Sequence, residues 1–146
     1  LLPAAEQAQV RLTFKLPCHP DWLAVLREVQ AWGVPTLLTG LSNPMQLLWA
    51  QAQGASFVAP YVGRLQADGR DVWALVAACV AVQANGPQLL AASIKSADVL
   101  SRLMAAGAHA VTVRPELATQ LATDPMTLAA MAQFDRDVLT SQNNPV

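Results

Sequence analysis

Along this chain, short runs rich in apolar and β-branched residues alternate with longer runs in which apolar positions recur every three or four residues. Arg11–Leu16 (RLTFKL) predicts a strand. Pro17 and Pro20 interrupt it, and Asp21 is placed to cap a helix reaching about Trp32, with Leu23, Val25, Leu26 and Val29 as its apolar face and Gly33 as its stop. Pro35–Thr39 (PTLLT) predicts a second strand. Asn43-Pro44 is an N-cap followed by the favoured first-turn proline, opening a helix to about Gln53 that Gly54 closes. Ser56–Ala59 predicts a third strand, followed by a polar loop holding Gly63, Arg64, Asp68, Gly69 and Asp71, then a helix over about Val72–Gln83. Leu89–Ala92 predicts a fourth strand. Ser96 caps a helix to Ala106, ended by Gly107. Ala110–Val113 predicts a fifth strand, Pro115 starts a short helix, and a last helix covers about Met126–Leu139 before a loose tail from Thr140.

Strand–helix alternation of this regularity predicts an α/β fold with a parallel sheet. A doubly wound sheet is the default for five units, but the first strand–helix turn carries no glycine-rich phosphate fingerprint. The other parallel solution is a (β/α)8 barrel. A whole one needs about 250 residues, so a chain of 146 would hold only part of it. Leu1 stands where a methionine would begin a complete product, which predicts a fragment or one piece of a longer chain.

The apolar fraction, 53%, is high and the charged fraction, 13%, is low. Thin polar faces follow, or apolar surface covered by another chain. A net charge of −1 without a basic block argues against nucleic acid and anionic membranes as partners. No apolar run reaches the roughly 18 residues of a membrane span, and Leu1–Val10 lacks the features of a signal peptide. Cys18 and Cys79 form no CxxC pair and read as reduced thiols, which predicts a cytoplasmic location.

Lys15 carries the sharpest chemical signal. Alternation puts Thr13, Lys15 and Pro17 on one strand face and Leu12, Phe14 and Leu16 on the other. Apolar neighbours would desolvate the amine and favour its neutral, nucleophilic form; the same pattern also fits an edge-strand lysine that reaches to water. Arg64 and the Ser93–Lys95 segment lie just past strand ends on the same side of a parallel sheet, where an arginine fork and helix N-terminal amides favour an anion; taken alone, each is explained better as a surface loop arginine and an ordinary helix cap. Tyr61, at the end of the third strand, fits a proton donor or a packed core tyrosine. His19 and His109 have no partners at metal-ligand spacing, so neither a metal nor another cofactor is expected. Trp22, Trp32, Trp49 and Trp73 fall in helices and read as packing or interface residues.

The runs FKLP, GVPTLLT, GASFVAPYVGRL, LLAASIK and AGAHAVTVRPEL, in this order, resemble the transaldolase and fructose-6-phosphate aldolase family of class I Schiff-base aldolases, as does the closing DPMTLAAMAQFDRD. The resemblance runs from about Val10 to Asp137 and is most specific at APYVGRL and LAASIK. It implies units four to eight of a barrel, a single partial domain over residues 1–146, and a place in carbohydrate metabolism of the pentose phosphate kind. It implies that Lys15 is the Schiff-base lysine, Tyr61 the acid–base group, and Thr39 a lining residue. Arg64 and Ser93 would bind the substrate phosphate, with Lys95 at a position often basic in the family.

Departures from the family pattern touch the rim: His19 replaces a threonine, Leu37 an asparagine, Ser42 an aromatic, and Arg114-Pro115 a proline pair. The aspartate, the Thr-Asn-Pro turn and the glutamate or glutamine of the first three units have no counterpart before Lys15. The expected activity is cleavage or transfer of a dihydroxyacetone unit of a sugar phosphate. The competing expectation is a non-catalytic barrel remnant or assembly subunit that keeps a sugar-phosphate pocket. Five strands cannot close a barrel, so either reading predicts that the chain pairs with another copy, pairs with a chain that supplies the missing units, or is only part of a larger protein.

Overall fold

The computed structural model describes residues 2–143, with side chains through residue 140. The chain forms two compact units, Leu1–Val113 and Arg114–Val146.

The first unit is built on a five-stranded parallel sheet of β1 (Phe14–Pro17), β2 (Thr36–Thr39), β3 (Phe57–Ala59), β4 (Gln88–Ala91) and β5 (Ala110–Val111). Its helices are α1 (Leu2–Gln7), α2 (Leu23–Ala31), α3 (Pro44–Ala52), α4 (Val62–Ala67), α5 (Val72–Val82) and α6 (Ala97–Ala106). The spatial order of the strands is their chain order, with no reversal. A doubly wound sheet reverses direction at a switch point. Right-handed crossovers without reversal put successive helices on one face, which is the winding of a barrel. The parallel α/β expectation holds, as part of a barrel-type fold.

Register explains where the core lies. Leu16, Leu38, Val58 and Leu89 stand in one row across four strands, and all are buried. Helical spacing supplies the other wall: Leu26 and Val29 from α2, Leu47 and Ala50 from α3, Val72, Leu75, Val76 and Cys79 from α5, Val99 and Leu103 from α6. Each such leucine or valine contributes about 1.5–3 kcal/mol of burial before chain entropy is counted. Both thiols are unpaired and buried, and burial pushes each pKa up to about 11.

Most punctuation behaves as its chemistry dictates. Asn43 Oδ1 accepts the Gln46 N–H and Ser96 Oγ the Val99 N–H, as N-caps do. Gly107 closes α6 in a left-handed conformation (φ +88°). Four expectations in this unit are corrected. Leu2–Gln7 is helical although no element was expected there. The strand expected over Arg11–Leu16 begins at Phe14 and includes Pro17. Phe14 and Cys18 donate to Pro35 and Thr39 carbonyls, so by alternation Pro17's missing N–H lies on the side away from β2, where a proline is tolerated. Asp21 does not cap α2; it lies in a 3-10 turn, Pro20–Trp22, whose N-cap is His19. Finally, the expected polar loop after β3 contains α4, and Asp71 is the N-cap of α5.

The second unit consists of α7 (Pro115–Ala122) and α8 (Pro125–Asn143), so the last helix extends past Leu139 into the tail expected to be loose from Thr140, the rest of which, 144–146, lies outside the described residues. Leu128, Met131, Phe134 and Val138 form an exposed apolar stripe along α8.

Candidate functional site

The C-terminal ends of the parallel strands collect the residues singled out by the sequence. Lys15 lies on β1 opposite Leu37 of β2, and the next row on the same face pairs Pro17 with Thr39 and Thr39 with Ala59. Tyr61 follows β3 and bridges to Ala92 beyond β4.

The half-buried Tyr61 ring joins two cations. Lys15 Nζ lies 5.6 Å from its centroid and Arg64 Cζ 4.6 Å. Both fall within the reach of a cation–π interaction. Arg64 is exposed in the first turn of α4. Among the described residues no carboxylate pairs with Lys15, Arg64 or Lys95. This end of the sheet therefore presents uncompensated positive charge around a phenol.

Ser93 and Lys95 join the group through the backbone. Val62 N–H donates to the Ala92 carbonyl (2.9 Å) and Gly63 N–H to the Ser93 carbonyl (3.1 Å), which ties the start of α4 to the loop after β4. Gly63 is required by this approach. A Cβ there would run into the Ser93 carbonyl oxygen and stand 2.7 Å from Lys95 Cγ. Ser93 itself is left-handed, with φ +64°, the kind of backbone strain that collects at functional sites.

Thr39 is held at the rim by its hydroxyl, which donates to the Ala59 carbonyl at 3.2 Å. The structure thus brings Lys15, Tyr61 and Arg64 into one cluster, with Ser93 and Lys95 attached to it through Gly63 and Thr39 on the neighbouring row.

Of the two readings of Lys15, the edge-strand lysine that reaches to water fits the structure: among the described residues it stands on an outer strand of the sheet and is exposed rather than enclosed by apolar neighbours. Sequence reasoning missed three contributors. Gly63's close approach and the Ser93 backbone depend on which loops meet. Gln46, whose side chain bonds both Ser42 and the Cys18 carbonyl, carried no recognisable signal. Elsewhere, a cleft of about 720 Å³ opens at the N-terminal end of the sheet, between α1 and the residues around Trp32 and Phe57, away from Lys15. Among the described residues no three His, Cys, Asp or Glu side chains come together as metal ligands, and no helix is long and apolar enough to cross a membrane.

Known proteins resemble this chain over most of its length. The family model described as Transaldolase/Fructose-6-phosphate aldolase matches residues 4–144. A probable transaldolase 2 of Bacillus anthracis is 33% identical over 130 residues, covering 87% of this chain and 59% of that protein. Its Bacillus cereus namesake is 33% identical over 129 residues, covering 86% and 58%. A probable transaldolase of an Exiguobacterium species is 28% identical over 135 residues, covering 90% and 62%. The chain spans about three fifths of the length of these relatives. With the family match over nearly its whole length and a parallel sheet of the matching kind, the chain belongs to the transaldolase/fructose-6-phosphate aldolase family.

Proposed function

We propose that this chain carries the Schiff-base half of a dihydroxyacetone-transferring or dihydroxyacetone-releasing site. The observation that supports it most is the Tyr61 ring with Lys15 Nζ at 5.6 Å and Arg64 Cζ at 4.6 Å. An amine can form an imine, a phenol can move a proton, and a guanidinium can hold the phosphate of a sugar phosphate.

In this reading the neutral Lys15 amine attacks C2 of a ketose phosphate. The carbonyl oxygen leaves as water, and a protonated imine remains. A base removes the proton of the C4 hydroxyl, the C3–C4 bond breaks, and its electron pair flows into the imine. An aldehyde leaves and the enamine stays on Lys15. Adding the enamine to another aldehyde and hydrolysing the resulting imine completes a transfer; protonating C3 and hydrolysing the imine completes a lyase reaction. Tyr61 shuttles protons, worth typically 10²–10⁴-fold. Arg64 and Ser93 hold the phosphate, Lys95 adds positive charge, and Thr39 lines the rim. The proposed setting is cytoplasmic sugar-phosphate metabolism, including the pentose phosphate pathway. A second copy or a chain with further barrel units would cover the Lys15 face.

A second reading, a sugar-phosphate-binding or assembly subunit without turnover, draws support from the exposure of Lys15. Borohydride trapping with fructose 6-phosphate and with dihydroxyacetone, read by intact mass, separates the two. An adduct that disappears in Lys15→Ala supports the Schiff-base reading. A folded sample that forms none leaves the binding subunit in its place.

A further inference from the structure

The loops that follow β1 and β2 are joined through one side chain. Gln46 Oε1 accepts the Ser42 N–H at 2.8 Å, the Ser42 hydroxyl at 3.1 Å and Asn43 Nδ2 at 3.2 Å. Gln46 Nε2 donates to the Cys18 carbonyl at 3.2 Å, and the Gln46 carbonyl receives Cys18 Sγ at 3.5 Å.

Gln46 is the third residue of α3, a position from which a glutamine turns back over the helix start. Its bonds to Ser42 and Asn43 suffice for that local role. The bond to Cys18 reaches 28 residues back in the chain and serves no cap. It falls where the sheet needs it. Among the described residues β1 is an outer strand held by β2 alone, and their pairing ends at Pro17 and Thr39. One more ladder bond follows, Cys18 N–H to the Thr39 carbonyl at 2.9 Å. The Cys18 carbonyl is then taken by a side-chain amide. Lys15 lies three residues before Cys18, and Thr39 three before Ser42.

We propose that Gln46 is a positioning residue that clamps the C-terminal end of β1 to the loop after β2, and so sets where Lys15 stands relative to Thr39 and Tyr61. The proposal rests on the Schiff-base reading of Lys15. Free of the clamp, the end of an outer strand frays; Lys15 then spends less time in the attacking geometry, while the groups that bind phosphate are untouched.

The test uses the full chain and three variants. Gln46→Glu keeps the acceptor oxygen and the cap but, as a carboxylate, cannot donate to Cys18. Gln46→Met removes the donor without adding charge. Gln30→Ala is the control: its Nε2 joins α2 to the Gln53 carbonyl at 2.7 Å, at the opposite end of the sheet. Two readouts are taken: alkylation of Cys18 by iodoacetamide, with Cys79 as internal reference, and the rate of ketose trapping as its concentration rises. Both Gln46 variants are expected to alkylate faster at Cys18. Their maximal trapping rate should fall roughly tenfold, the scale of one lost part-buried hydrogen bond, with the half-saturating concentration unchanged. Gln30→Ala should match wild type in both.

Wild-type Cys18 protection in the Gln46 variants overturns the proposal. So does a loosened Cys18 with an unchanged trapping rate, or an equal fall in Gln30→Ala. If wild type traps no ketose, the Schiff-base reading fails by itself, and hydrogen exchange at the Leu16 and Cys18 amides decides. Faster exchange in the Gln46 variants alone supports the clamp, and wild-type exchange removes it.

Discussion

Gly63 passes so close to the Ser93 carbonyl and the Lys95 stem that no side chain fits between them. Gly63→Ala should therefore cost about 1–3 kcal/mol, as overpacking in a filled space does. The same change should push the loop after β4 away from Arg64 and weaken binding of inorganic phosphate. Urea unfolding and phosphate-titrated NMR read the two effects, and a variant with wild-type stability and affinity would refute the close approach. Which residues matter here was legible to different degrees. Lys15 and Tyr61 stand out as polar side chains at strand ends, and LAASIK marks Ser93 and Lys95 by resemblance. The left-handed Ser93 backbone and the need for Gly63 depend on which two loops meet, and no local pattern encodes that. Which of the two readings of Lys15 holds was hidden for a related reason: alternation says which face a residue takes, and only the sheet says what covers that face.

At the scale of elements, one helix end shows how the units are stitched together. Gln83, the C-cap of α5, accepts the Leu89 N–H through Oε1 at 2.9 Å and donates through Nε2 to the Gly107 carbonyl at 3.0 Å. One side chain thus ties a helix to the strand that follows it and to the end of the next helix. Gln83→Ala should cost about 1–3 kcal/mol, because the buried Leu89 N–H loses its partner. The drop should appear in the urea midpoint with little change in helical CD, and a midpoint equal to wild type would count against it. Helix starts at Asn43 and Ser96 and stops at Gly33, Gly54 and Gly107 were readable, since caps and left-handed glycines act locally. The helix over Val62–Ala67 was not: glycine, arginine and glutamine beside few apolar residues read as loop, and the buried Val62 and Leu65 supply the packing that makes it helical.

For the whole molecule, β1 and β5 each have a strand neighbour on one side only among the described residues. Outer strands with unpaired backbone groups favour association, and Trp22, Val25, Met45 and Leu48 add exposed apolar surface. Light scattering after size exclusion is expected to give a mass of two or more chains. A monodisperse single-chain mass at micromolar concentration would remove the homo-oligomer and leave a different partner chain or none.

Taken alone, the order of the five strands and of the helices α2, α3, α5 and α6, the caps at Asn43, Ser96 and Gly107, and the face of each strand that carries polar side chains were determined by the sequence, because they follow from periodicity and from the backbone preferences of a few residue types. Resemblance over FKLP, APYVGRL and LAASIK added the family. Tertiary structure alone decided three things: that the strands wind without reversal, that Tyr61 lies between Lys15 and Arg64, and that a glutamine from α3 holds the end of β1. Each depends on contacts between residues far apart in the chain, where shape and hydrogen-bond geometry select one arrangement among many that the same pattern allows.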